Sequence, residues 1–336
     1  VVYDFYMAYS SATDTTRVLP VKYSTAQLAR VSANLTREAL ESGDPEASMQ
    51  VMGATHKSLS GDDGSSDRRR LLGSSEASAL RTSLLATLEE TYAMSEITEA
   101  NVDSMMSTLD GIVNAPNDLT TATAVDSLLF ATKLLSASVD AEIGISPAGT
   151  GYTGTALSYL LLSSMFNASD VDSVTSVSAA NLTDTLRYLA VAQLDGAYAG
   201  VSYTLSSSLI HSAAVRQEAQ YLGGSSRGAP GSNAKVVFPS NFSDAAKLGV
   251  AATDYVDTRV VTIDTDIYTA YDGYGDQLVA IKMVPKKFVL DETDDKARKK
   301  KVTRLPTIEV LHDVGNQRAP SSPGPGLLPG SNLPWF

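Results

Sequence analysis

Three histidines and no cysteine limit the chemistry open to this 336-residue sequence. The lack of cysteine removes disulfides, zinc-thiolate sites and cysteine nucleophiles together. His56, His211 and His312 fall in different expected elements, and none has an HxxxH, HExxH or His-Cys spacing. Histidines so isolated are by default surface or partly buried side chains, with a metal or general-base role as the minor alternative. Serine is abundant, yet no GxSxG elbow occurs. "GTGYTG" (149–154) comes nearest to a phosphate-cradling loop. It lacks the P-loop lysine and no strand precedes it, so it reads as a flexible helix connection. "SGDDGSSD" (60–67) spaces its carboxylates almost as a calcium loop does, without the later Glu that closes an EF-hand. A secreted hydrolase would need a carboxylate pair in one cleft, which 38 acidic residues leave open. The expectation is a chain that is not an enzyme and holds no cofactor or metal.

Two other sets of residues carry specific chemistry. Four Asn-X-Ser/Thr sequons stand at Asn34, Asn167, Asn181 and Asn241, each an acceptor for an N-linked glycan in a secreted chain. They tilt the reading towards an extracellular glycoprotein. "DKARKKKVTR" (295–304) concentrates Lys296, Arg298, Lys299, Lys300, Lys301 and Arg304. Between strands such a run is most simply a charged hairpin loop; its other reading is a surface for an acidic partner or phospholipid heads. "RRRLL" (68–72) reads as part of an exposed loop rather than as a processing site.

Composition sets the class. The chain is 43% hydrophobic, enough to fold around a sizeable core. Its 26 basic and 38 acidic residues leave a net charge of −12, and an acidic body repels a polyanion. Nucleic acid is therefore not an expected partner. No run of about 18 apolar residues crosses a bilayer, and "ALSYLLLSSMF" (156–166) reads as a buried helix. The sequence opens on Val with no signal peptide, so a processed chain or a piece of a larger protein is expected, touching membrane only through segments outside it.

These residues must be positioned by helices first and strands second. Residues 1–23 alternate weakly, with "VVYDFYMAYS" and "TRVLPVKY" as strands. From Ser24 the period changes: Leu28, Val31, Leu35 and Leu40 mark a helix that ends at "SGDP". There Gly43 suits a C-terminal cap, Asp44 an N-cap and Pro45 the first turn of the next helix, which carries Met49 and Met52. Further helices are expected at 74–93 with Leu80, Leu84, Leu85 and Leu88 on one stripe, at 98–114, 122–139, 153–166, 178–195 and 202–221. "GGSSRGAPGSN" (223–233) reads as a hinge, after which β-branched runs at 234–239, 258–268, 276–284, 286–290 and 306–314 read as strands. Residues 319–336 hold five prolines and read as extended, polyproline-like tail. The fold class is α+β: a strand-like lead-in (1–23), a helical subdomain (24–222), the hinge (223–233), a β-rich, sandwich-like subdomain (234–318) and the tail (319–336).

Set side by side, "ALESGDPEASMQVMGATHKSLS", "RTSLLATLEETYA", "VDSMMSTLDGIVNAPNDLTTATAVDSLLFATKLLSAS" and "KVVFPSNFSD" resemble the receptor-for-egg-jelly and GAIN region of the polycystin family. The apolar spacing of 109–135 and the strand ending at Pro239 carry the likeness, which spans roughly residues 24–290. The resemblance implies a helical subdomain followed by a GAIN-like β-sandwich. Two features depart from it. Self-cleaving GAIN domains end in a cysteine-framed His-Leu-Ser/Thr site, whereas here His56, His211 and His312 precede Lys57, Ser212 and Asp313, so no autoproteolysis is implied. The sandwich also stops early, before the basic run and the Pro-rich tail. The Ser/Ala/Thr-rich style and the "SSPGPGLLPGSNLPWF" tail look like those of green-algal extracellular proteins.

The resulting expectation is a non-enzymatic extracellular scaffold, adhesion or mechanosensory module of a polycystin-like membrane protein on a cilium or flagellum. Its partners would be other extracellular or membrane proteins of the same assembly, a polycystin channel among them, with glycans attached. The alternative is a structural glycoprotein subunit of a surface fibre such as a flagellar hair (mastigoneme), its Pro-rich tail joining a polyproline shaft.

Overall fold

The computed structural model describes residues 2–3, 9–10, 25–60, 74–167, 173–195, 197–232, 235–238, 240, 251–264, 277–284, 287–290, 300–304 and 307–314. Two short strands, β1 (Val2–Tyr3) and β2 (Tyr9–Ser10), pair antiparallel within the expected lead-in; "TRVLPVKY" lies outside the described residues.

Helices α1 (Thr25–Glu41) and α2 (Pro45–Ser60) form the expected hairpin. Gly43 takes a φ of +75°, a conformation costly for any side chain with a Cβ, and Asp44 Oδ1 accepts from Ala47 N at 2.9 Å to cap α2. The buried stripe of α1 differs from the apolar one. Leu35 is 46% exposed, and Ser32, Thr36 and Ala39 face inward instead. Small residues there bring α1 close to α2, and Thr55 Oγ1 donates to Ser32 Oγ across the seam at 2.8 Å.

Helix α3 (Ser74–Met94) buries Leu80, Leu84, Leu85 and Leu88 as its spacing predicts. Helix α4 (Glu99–Val113) starts at the Thr98 cap, and α5 (Thr121–Asp140) at Thr120, each hydroxyl accepting a backbone N–H three residues on. By length and composition α5 could cross a membrane, yet half of its apolar window is buried within the fold. Helices α6 (Pro147–Leu161), α7 (Ser164–Asn167) and α8 (Ser173–Leu194) follow. Hydroxyl pairs recur at the seams: Ser48 with Thr91 (3.0 Å, α2–α3), Thr82 with Thr123 (2.7 Å, α3–α5) and Thr132 with Thr185 (2.6 Å, α5–α8). Each adds a directional bond where apolar contact alone would let helices slide.

"GTGYTG" is no connection. It lies inside α6, where a Cβ on Gly149 would collide with Asp103 of α4 and one on Gly154 with Leu205. The glycines let the helix approach its neighbours, which outweighs their low helix propensity.

Residues 202–221, expected to be helical, form β3 (Ser202–Ser206), β4 (Ile210–Glu218) and a 3-10 turn. Nearly all of β4 is buried on both faces, so the alternation that marks a half-exposed strand is missing from its sequence. The hinge 223–233 falls within the β part and holds β5 (Ser226–Gly228), which pairs antiparallel with β6 (Lys235–Val237). Strands β7 (Tyr255–Ile263), β8 (Gln277–Val284), β9 (Lys287–Leu290), β10 (Lys300–Arg304) and β11 (Thr307–Val314) complete the described chain. A five-stranded mixed sheet runs β3-β4-β7-β11-β8; β11 is parallel to β7, and the other neighbours are antiparallel. The basic run is not wholly a loop: Lys300, Lys301 and Arg304 belong to β10, paired with β9, while Lys296, Arg298 and Lys299 lie outside the described residues.

The fold is α+β, with its two parts joined by one core. Leu205, Ile210 and Ile263 of the sheet belong to the same buried cluster as Leu128, Leu134 and Leu157 of the helices. Ala214 of β4 packs with Ala190 and Leu194 of α8 in a second cluster. The opposite face of the sheet is also closed, since Ala213, Val215, Val256 and Val260 are buried. The boundary between helices and strands falls at 195–201, some thirty residues before the expected hinge.

Candidate functional site

The expected glycan acceptors differ in their surroundings. Asn34 is exposed midway along α1, its Oδ1 accepting from Arg37 Nη2 at 3.2 Å. Asn181 is half-buried on α8 between Ala180 and the buried Leu182. Asn167 closes α7, and Asn241 lies outside the described residues. Of these two helix positions, Asn34 is the one on which a glycan meets less obstruction than on Asn181.

The helical part carries a groove of about 760 Å³ between α2, α4 and α6, lined by Met49, His56, Asp103, Asp110 and Tyr152 among others. The His56 ring lies against Gly111, where a Cβ would overlap it, and Nδ1 faces Asn114 Nδ2 at 3.4 Å. Asp103 Oδ1 accepts from Ser146 N at 3.3 Å, tying α4 to the start of α6. Asp110 Oδ1 is buried with no hydrogen-bond partner among the described residues, and burial pushes this carboxyl up to about 7. No three His, Cys, Asp or Glu side chains among the described residues gather closely enough to hold a metal ion.

A second cluster lies at the end of the sheet, and single-residue reasoning missed it. Ser206, the last residue of β3, faces His211 of β4 across the hairpin. Ser206 Oγ and His211 Nδ1 are 3.0 Å apart. His211 Nε2 is 3.1 Å from Asp264 Oδ2, just past the end of β7. The His211 side chain is 9% exposed, whereas the Asp264 side chain is 39% exposed. Ser207 Oγ donates to Ile210 O at 2.9 Å and accepts from Ile210 N at 3.2 Å, fixing the turn that sets Ser206 opposite the ring. Gly231, at φ +83°, lies beside the cluster: a Cβ there would stand 2.8 Å from the ring and 3.0 Å from Ser206 Oγ. Serine, imidazole and carboxylate thus line up across three adjacent strands. The one sequence signal was the five-residue separation of Ser206 and His211, which becomes a cross-strand pair only once 202–218 is read as a hairpin.

No family model matches the chain. No curated protein matches it either.

Proposed function

We propose that this chain is a scaffold, adhesion or mechanosensory module of an extracellular assembly, with a short GAIN-like sandwich as its β part, carried by a polycystin-like membrane protein on a cilium or flagellum. The observation that carries the reading is the core shared by helices and sheet. A module that transmits force must not come apart at its internal seam, and a seam where Leu205, Ile210 and Ile263 are buried among the helix leucines, crossed by the Ser158–Ser207 hydroxyl pair, resists both separation and sliding. Burial of Val215, Val256 and Val260 on the face away from the helices supports a second β layer. The exposed Asn34 and the acidic balance suit a glycosylated surface protein, whose partners are other extracellular or membrane proteins of the same assembly.

Glycopeptide mapping of the protein from its native source tests the placement. A glycan on Asn34 is the expected result, with lower occupancy of the half-buried Asn181. Bare asparagine at all four sequons contradicts it.

A further inference from the structure

We infer that Ser206 is an activated nucleophile, with His211 as its general base and Asp264 as the group that orients the base, able to take an acyl group from a small neutral ester. This goes beyond the scaffold reading and beyond the expectation of a chain without chemistry. It rests on the sheet end alone, so bare sequons leave it standing and its failure leaves the scaffold reading standing.

A serine hydroxyl is a weak nucleophile until a base takes its proton, and the base works best when a third group holds its tautomer. Both conditions are met here. The neutral ring that satisfies both contacts carries its hydrogen on Nε2, donated to Asp264, and turns the lone pair of Nδ1 to Ser206 Oγ. The two ring nitrogens are exchangeable in these roles, because either can be base while the other donates.

In the step itself, Oγ attacks the ester carbonyl and forms a C–O bond as its proton passes to Nδ1. Asp264 stabilises the imidazolium that results. The tetrahedral adduct collapses, the C–O bond to the leaving alcohol breaks, and the proton on Nδ1 goes to that alcohol. Water then attacks the acyl-serine through the same base, giving the acid and free Ser206. No oxidant, metal or cofactor is needed.

The surroundings set the substrate class. Ser206 is exposed at the end of an edge strand, and Gly231 brings no side chain over its Oγ, so an electrophile reaches it from solvent. The partly exposed Asp264 carboxylate disfavours anionic esters.

The test is labelling of the full chain with an alkyl fluorophosphonate, followed by intact mass and peptide mapping. With this probe, Ser206 Oγ forms a bond to phosphorus, fluoride leaves, and His211 takes the proton. One adduct, on Ser206, is expected; Ser206→Ala removes it, and His211→Gln slows its formation by about 100-fold or more. Asp264→Asn, at a part-exposed site that should leave the fold intact, slows labelling by a smaller factor and guards against reading an unfolded His211 variant as support. Circular dichroism of each variant reports the fold. No adduct, an adduct on another serine, or equal labelling of wild type and both His211→Gln and Asp264→Asn overturns the inference.

Discussion

Replacing Asp257 with alanine should destabilise the protein strongly, by about 3–5 kcal/mol. Asp257 stands on β7 with the face that receives the helices, and it is buried. Arg216 of β4 grips it with two hydrogen bonds, Nε to Oδ1 at 2.9 Å and Nη2 to Oδ2 at 3.1 Å. Arg259 Nη2 lies 3.9 Å from the same carboxylate and is itself 5% exposed. One anion therefore answers two guanidinium groups. Such a pair adds little over well-packed apolar residues, because desolvation offsets most of its attraction. Removing only the anion is different, since it takes the carboxylate from between two neighbouring guanidinium groups, that of Arg259 buried and that of Arg216 22% exposed. Asp257→Asn keeps the shape and loses the charge, so it should recover a minor part of the loss. Urea midpoints of the three proteins check the order. An Asp257→Ala variant within about 1 kcal/mol of wild type would show that solvent already screens this face.

A loss of about 3 kcal/mol is expected for Arg81→Met, which keeps most of the side chain's volume and deletes its donors. Arg81 points from α3 into the end of α4, where the last carbonyls of a helix lack partners. Its guanidinium donates to Ile112 O, to Gly111 O at 3.2 Å and to Asn114 Oδ1 at 3.1 Å. Burial pushes its pKa down, while the Asp118 carboxylate favours the charged form. A planar fork reaches three acceptors that a lysine ammonium cannot reach together, so Arg81→Lys should restore only part of the stability. Thermal melts of the two variants measure this. Equal stability of Arg81→Met and wild type would mean that water caps α4 as well as Arg81 does.

What the sequence disclosed follows the physics of each element. The Gly43-Asp44-Pro45 corner was legible because cap chemistry is local: a left-handed position, a short acceptor and a ring that fits the first turn. Leu80, Leu84, Leu85 and Leu88 were legible because a helix that buries one stripe repeats it. In helix α1 the apolar spacing marks the helix but not its most buried stripe, which is Ser32, Thr36 and Ala39, chosen for closeness rather than greasiness, while Leu35 stays exposed. The β3–β4 hairpin was missed for a related reason. "IHSAAVRQE" has the composition of a helix, and only burial on both faces by α8 and the far side of the sheet holds it extended. With that hairpin hidden, Ser206, His211 and Asp264 were three unrelated residues. Gly149 and Gly154 look like flexibility in the sequence, yet their role is close contact, a distinction no local pattern carries.

The most direct test of the central claim, that helices and sheet act as one unit, is native-state hydrogen exchange resolved to single amides. The account predicts that the slowest amides of β4 and β7 exchange with the same opening free energy as those of α5 and α8, because Ile210, Ile263, Leu128 and Leu134 share one core. Sheet amides that open by a separate, lower-energy step while the helices stay protected would contradict it.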